Sequence, residues 1–351
     1  MISVFEEGDF MKKTLLTLGA SAVILGTAIP QAANAFTVGI AMPTQEQDRW
    51  YKEGFKLERM LLSQGMNVEL FYGGEFDVAL QQKQVRRLAN DNVDCMVIGS
   101  LDGAALTEAL QDAKQKHIPV ISYDRLITGT DAVSYYATFD NERVGQIQGQ
   151  FIIDRLNPSV DNPKNIELFY GSLDDNNAKF FYKGAMKVLQ PYINSKALVI
   201  KSKLYQPKDI CVQSWSTDNA IKAMEERLEQ NVYAVDGTKL DAVLSPADSI
   251  SMGIITALKN KGYTSDNMPL ITGQDANPDA LDAIKKGELA MTVYKNSDDL
   301  CSSVVNMVGA ISNHATPKIN DKKTYYNGVK TMESYLCTPQ LVTKDNLEDI
   351  F

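Results

Sequence analysis

Ten side chains in this sequence have the types and the placing to hold a neutral, hydroxyl-rich molecule: Arg49, Trp50, Asp124, Arg125, Asp175, Asn177, Trp215, Asp248, Asp275 and Lys295. A hydroxyl is both donor and acceptor. In a dry site it is best met by a carboxylate, which only accepts, and an Arg or Lys, which only donates, in charge-assisted hydrogen bonds worth about 1.5–3 kcal/mol each. The C–H faces of a pyranose are apolar and pack on aromatic rings, a role open to Trp50 and Trp215, the only tryptophans in 351 residues. The mixture outlines a sugar site. Taken singly, a charged residue after a strand is a cap or a solvated loop residue, and Trp215 also reads as a helix N-terminus packed on the core. The joint placement of these residues after strands is what argues for a site.

The elements that must position them alternate with little interruption. Short apolar, β-branched runs predict strands at 37–42, 67–72, 94–99, 118–122, 135–139, 165–170, 196–200, 241–245, 268–272 and 290–294, with amphipathic helices filling most gaps. That alternation means α/β architecture, with parallel sheets covered by helices on both faces. In such sheets ligands bind outside the carboxyl ends of the strands, where the candidate residues fall. The order Asp, apolar strand, helix, proline, apolar strand, Asp occurs twice, from Asp94 to Asp124 with Pro119 and from Asp241 to Asp275 with Pro269. Two similar lobes follow. Asn141 is placed to cap the helix that begins at Glu142, Asn277-Pro278 starts another and Gly287 ends it. The polar stretch from Asn313 to Gly328 lacks periodicity and reads as a surface loop.

The amino terminus sets the compartment. Lys12-Lys13, an apolar run from Leu15 to Ile29 and Ala33-Asn34-Ala35 form the charged, apolar and A-x-A layout of a secretory signal peptide. Cleavage is expected after Ala35, delivering the mature chain to the periplasm, and the apolar run is short of the roughly 18 residues a membrane span needs. Glu6-Glu7-Gly8 is what a translated purine-rich ribosome-binding site would read as, so Met11 is the expected start. Removing residues 1–35 takes away Glu6, Glu7 and Asp9 together with Lys12 and Lys13, leaving 41 Asp+Glu against 33 Lys+Arg. This acidic balance disfavours nucleic acid and anionic membrane as partners. About 316 residues exceed one ordinary core, which favours two domains. Cys95, inside an apolar strand, reads as a buried small hydrophobe; Cys211, Cys301 and Cys337 show no metal-ligand spacing, and a disulfide among them is left open.

Catalysis finds little support. The two histidines, His117 and His314, join no triad or metal cluster. A carboxylate pair could hydrolyse a glycoside, but a site rich in Arg and Lys favours ionised acids over the raised-pKa acid that reaction needs. Neither a Walker A sequence nor G-x-G-x-x-G is present.

From Phe36 to about Lys344 the sequence resembles the bacterial periplasmic sugar-binding proteins that feed ABC importers, in particular the xylose-binding and multiple-sugar, ChvE-like receptors. The resemblance is carried by Ile40-Ala41-Met42-Pro43-Thr44 with Arg49-Trp50, Tyr123-Asp124-Arg125, Phe139-Asp140-Asn141, Asp174-Asp175-Asn176-Asn177-Ala178, Gly184-Ala185-Met186, Asp241-Ala242-Val243-Leu244-Ser245-Pro246, Thr272-Gly273-Gln274-Asp275-Ala276 and Thr292-Val293-Tyr294-Lys295. It implies a type I periplasmic binding protein, two doubly wound parallel-sheet lobes joined by a three-strand hinge and closing on one monosaccharide. The lobes would be 36–138 plus 297–336 and 139–294 plus 340–351, with hinges near 137–140, 295–297 and 337–340. The matched positions imply that Arg49, Asp124, Arg125, Asn177, Asp248, Asp275 and Lys295 bond sugar hydroxyls while Trp50 and Trp215 stack. The implied ligand is an aldopyranose such as xylose, glucose, galactose or arabinose. The implied partner is an ABC importer permease; the alternative output is a chemoreceptor or sensor kinase. A monomer without cofactor or metal is expected, since no calcium-loop spacing is present. Lys201 to Gln213 and Ala247 depart from the pattern.

Overall fold

The computed structural model describes residues 35–230 and 233–351. The expected export signal and the Met11 start lie outside the described residues. The chain order is β1 (Thr37–Met42), α1 (Asp48–Ser63), β2 (Asn67–Tyr72), α2 (Val78–Asn90), β3 (Cys95–Ile98), α3 (Gln111–Gln115), β4 (Val120–Tyr123), β5 (Tyr135–Phe139), α4 (Asn141–Leu156), β6 (Lys164–Leu168), α5 (Asn176–Asn194) and β7 (Leu198–Val199). It continues through α6 (Pro207–Ile210), a 3₁₀ turn (Gln213–Trp215), α7 (Thr217–Gln230), β8 (Ala242–Leu244), α8 (Asp248–Asn260), β9 (Leu270–Ile271), α9 (Pro278–Lys286), β10 (Thr292–Tyr294), α10 (Ser297–Ser312), β11 (Glu333–Cys337), β12 (Gln340–Val342) and α11 (Leu347–Ile350).

The strands make two sheets. The first is wholly parallel and six-stranded, in the order β11-β5-β4-β3-β1-β2. The second is parallel in the order β7-β6-β8-β9. Backbone bonds from Ala290 N–H to Ile271 O (3.2 Å) and from Val293 N–H to Gly273 O (3.1 Å) extend it to β10, which pairs antiparallel with β12. The chain passes between the layers three times, from β5 into α4, from β10 into α10 and from β11 into β12. Strands such as Cys95–Ile98 and Ala242–Leu244 are buried at every residue. Central parallel strands have helices on both faces, which is why they read as continuous apolar runs rather than alternation.

Local signals explain the helix ends. Asp77 caps α2 by accepting from Leu80 N–H, and α9 starts at Pro278 and is closed by the C-cap Gly287, whose φ of 76° is left-handed. For α4 the cap is Asp140, which accepts from Arg143 N–H at 3.0 Å; Asn141 is the first helical residue rather than the cap. Helices α4 and α5 approach so closely that a Cβ on Gly145 would lie 1.8 Å from Phe181 O, and one on Gly184 would lie 2.0 Å from Glu142 O. Gly145→Ala must therefore push α5 away. Overpacking of this kind costs about 1–3 kcal/mol, and the expected result is a matching drop in the urea midpoint.

Two further differences from the sequence reading concern the C-terminal third. Strands β11 and β12 are absent from the predicted set, and the 313–328 stretch is not all surface. Its Tyr325 is fully buried, with its ring centroid 5.0 Å from that of Tyr136 and 4.5 Å from that of Phe180. Asn327 is equally buried, donating to Thr130 O at 2.7 Å and accepting from the Val329 and Lys330 amides. All four cysteines are unpaired, and Cys95 is fully buried. Among the described residues no helix is long and apolar enough to cross a membrane.

Candidate functional site

Nine of the ten expected residues line one cavity of about 310 Å³. That lies at the small end of ligand pockets, which run from about 300 to 1,000 Å³. The fold brings them there from strand ends. Arg49 and Trp50 are in the first turn of α1, Asp124 and Arg125 follow β4, and Asp175 caps α5 with Asn177 just inside it. Trp215 ends the 3₁₀ turn, Asp275 follows β9 and Lys295 follows β10. The first four come from the first sheet's layer and the other five from the second's.

The charges are paired across the cavity. Arg49 donates through Nη2 to Asp124 Oδ2 and through Nε to Glu53 Oε1 at 2.6 Å; its Nη1 stands 3.8 Å from Asp275 Oδ1. Lys295 Nζ is 3.0 Å from the same Asp275 oxygen, and Arg125 Nε is 3.2 Å from Asp175 Oδ2. Asn177 donates to Asp124 Oδ1 at 3.2 Å and accepts from Tyr136 and Asn141, both at 3.0 Å. Three cations thus pair with three carboxylates, while Asp48 and Asp279, also in the wall, are exposed to solvent; the paired groups ask for no net charge on the occupant. Burial pushes the Asp124 carboxyl up, but Arg49, Lys295 and Arg125 outweigh it and hold the group below the usual carboxylate range. Its folded pKa lies below its unfolded one, so its stabilising contribution is present at neutral pH and is lost as pH falls through the folded value. For Asp175 burial outweighs Arg125 and the carboxyl moves up.

The aromatic walls are held by backbone fit. Trp50 is buried, with Nε1 donating to Gln47 Oε1 at 2.9 Å and the guanidinium carbons of Arg49 and Arg125 at 4.5 Å and 5.3 Å from the ring centroid. Trp215 packs edge-on against Phe181, with centroids 6.3 Å apart. Room for its indole exists because residue 171 is glycine, where a Cβ would lie 2.1 Å from Trp215 Cη2. Asp124, Trp215 and Asp275 all have positive φ, at 58°, 55° and 102°. Such strain collects where surrounding structure over-determines a functional side chain.

Asp248 corrects the sequence reading. It does not line the cavity and is fully buried behind it, with Oδ2 accepting from Asn277 N–H and Oδ1 from the Thr292 hydroxyl, both at 2.8 Å. Burial, reinforced by Asp275, drives its carboxyl well above the usual value. It braces the loop that carries Asp275. Asp248→Asn is expected to keep the acceptor for Asn277 N–H while its amide donates to the Thr292 hydroxyl oxygen, reversing that bond, whereas Asp248→Ala strands two buried donors and costs about 1–3 kcal/mol, read as a lowered urea midpoint.

Sequence reasoning missed Phe181, Gln274 and Ser249 in the cavity wall. Phe181 lies one helical turn beyond Asn177 on the same face of α5, which was the available signal; its ring centroid is 5.5 Å from Lys295 Nζ. Among the described residues no group of His, Cys, Asp and Glu side chains could hold a metal ion.

Two parallel-sheet lobes linked by three crossings, with a polar cavity between the strand ends, define the type I periplasmic binding proteins. The chain belongs to that family: the periplasmic binding protein domain matches residues 38–316. It is 41% identical over 344 residues to the multiple sugar-binding periplasmic receptor ChvE of Rhizobium radiobacter, covering 96% of each chain. It is 33% identical over 339 residues to the D-xylose-binding periplasmic protein of Escherichia coli K12, covering 97% of this chain and 96% of that one. A solved ABC transporter solute binding protein from Clostridium phytofermentans, with bound beta-D-glucose, matches with a TM-score of 0.84 and 39% identity over 90% of this chain and 96% of that one.

Proposed function

We propose that the protein is an exported receptor that binds one aldopyranose in this cavity and delivers it to the permease of an ABC sugar importer. The observation that carries the reading is the charge-balanced ring of Arg49, Asp124, Asp275, Lys295, Arg125 and Asp175 beside two tryptophans. An uncharged polyol can take a donor from one member of each pair and offer a proton to the other. The relatives named above, receptors for several sugars and for D-xylose and a structure holding glucose, support the same ligand class. In this reading the lobes 36–138 plus 297–336 and 139–294 plus 340–351 close about hinges near 137–140, 295–297 and 337–340.

The reading assigns no catalytic step. Asp175, the cavity carboxyl that burial raises, is engaged by Arg125 and by Asn177 N–H at 2.9 Å, which leaves it poorly placed as a general acid. The test is tryptophan fluorescence and melting temperature of residues 36–351 against aldoses, ketoses and polyols. A saturable emission change with a melting rise of several degrees for one or a few aldoses is expected, by mass action on the folded state. Silence across the panel contradicts the proposal.

A further inference from the structure

Behind the cavity lies a buried string of groups that touches no ligand space. Glu53, one turn after Arg49 on α1, is 2% exposed and outside the cavity wall. Its Oε1 accepts from Arg49 Nε and its Oε2 from the Tyr123 hydroxyl, both at 2.6 Å. Tyr123 is fully buried on β4, directly before Asp124, and its hydroxyl lies 3.4 Å from Cys301 Sγ on α10. Burial, with Glu53 alongside, holds the phenol well above its ordinary pKa, so it remains a donor.

A guanidinium presents five donors in one plane. In Arg49 the Nε edge is taken by Glu53 and an Nη2 hydrogen by Asp124, while Nη1 is 3.8 Å from Asp275, beyond hydrogen-bond length. The plane is thereby fixed with the Nη1 side turned to the cavity. We propose that Glu53 and Tyr123 are positioning residues for the sugar site, locking the Arg49 guanidinium in its binding orientation before the sugar arrives. The proposal rests on the receptor reading above. Its physical content is preorganisation: a flexible side chain ordered in advance does not draw on binding energy to become so. Glu53 needs the side chains of both neighbours to act, since a carboxylate buried without donors would be unfavourable.

Two measurements test it on the mature chain. The first is the Arg49 Nε–H signal in ¹H–¹⁵N NMR without ligand, assigned by its loss in Arg49→Lys. It is expected to be slow to exchange in the wild type, retained in part in Glu53→Gln, which keeps an acceptor, and lost in Glu53→Ala. A protected Nε–H that persists in a folded Glu53→Ala overturns the positioning role whatever the sugar does. The second is a double-mutant cycle titrated with D-glucose and D-xylose. Glu53→Ala is expected to weaken binding about tenfold in the wild-type background, the worth of one charge-assisted bond, and by less than about twofold once Arg49→Ala is present. Tyr123→Phe should follow Glu53→Ala in direction. Equal losses in both backgrounds would show that Glu53 acts through general packing and would overturn the proposal. A wild type that binds no aldose overturns the receptor reading separately, because the NMR result still reports whether Arg49 is held.

Discussion

Asp124→Ala is expected to weaken aldose binding about 10- to 100-fold, the range set by loss of one charge-assisted hydrogen bond. The side chain is 3% exposed and accepts from both Arg49 and Asn177. Its removal leaves Arg49 facing Asp275 alone on the cavity side and takes away one acceptor for a sugar hydroxyl. The local fold should survive, because the Asp124 carbonyl still receives Tyr136 OH at 2.7 Å, Thr138 Oγ1 at 2.9 Å and Asn177 Nδ2 at 3.0 Å. Alanine is disfavoured at φ 58°, whereas Asn tolerates the left-handed region. Asp124→Asn therefore separates charge from backbone strain: it should lose affinity and also some melting temperature at neutral pH, because the buried pairing with Arg49 goes with the charge. Unchanged calorimetric affinity in a folded Asp124→Asn would remove the carboxylate from the binding role.

Gly171→Ala is the second large effect. The added methyl would meet the Trp215 ring at Cη2, Cζ2 and Cζ3, at 2.1 Å, 2.4 Å and 2.6 Å, so the indole must leave its place in the wall. Trp215 has few ways to adjust. Its backbone is already left-handed, its carbonyl accepts from Ser249 Oγ at 2.8 Å, and its N–H donates to Val212 O at 3.1 Å. The displacement should cost about 1–3 kcal/mol. If that falls on the binding-competent conformation, affinity drops roughly tenfold or more. Intrinsic emission without ligand should shift as the ring moves. Native emission with native affinity would mean that the wall does not depend on this fit.

What could be read from the sequence followed from burial. The central strands have helices on both faces, so Cys95–Ile98 and Ala242–Leu244 stand out as apolar runs, and the polar residues just beyond them fall at the carboxyl edge of a sheet. The short outer strand Gln340–Val342 lacks that signature, and Glu333–Cys337 opens with a charged residue. Tyr325 and Asn327 escaped notice because they are buried through tertiary partners, in a stretch with no period of its own. At the site, the same reasoning that placed Asp124 and Asp275 also placed Asp248, since a carboxylate that braces a loop and one that lines the cavity both sit after strands. Only the direction of its bonds, to Asn277 and Thr292, separates them. Phe181 reads as core in any amphipathic helix, and Glu53 as a solvated helical acid, until the fold turns Arg49 and Tyr123 onto it.

The decisive measurement is isothermal titration of residues 36–351 with D-xylose, D-glucose, D-galactose and L-arabinose at low and high salt. A neutral ligand meeting internally paired charges should bind one to one, with an affinity nearly indifferent to salt, because the ion pairs it joins are enclosed and little screened. No saturable heat with any aldose, or binding that collapses as salt is raised, would contradict a charge-balanced monosaccharide site.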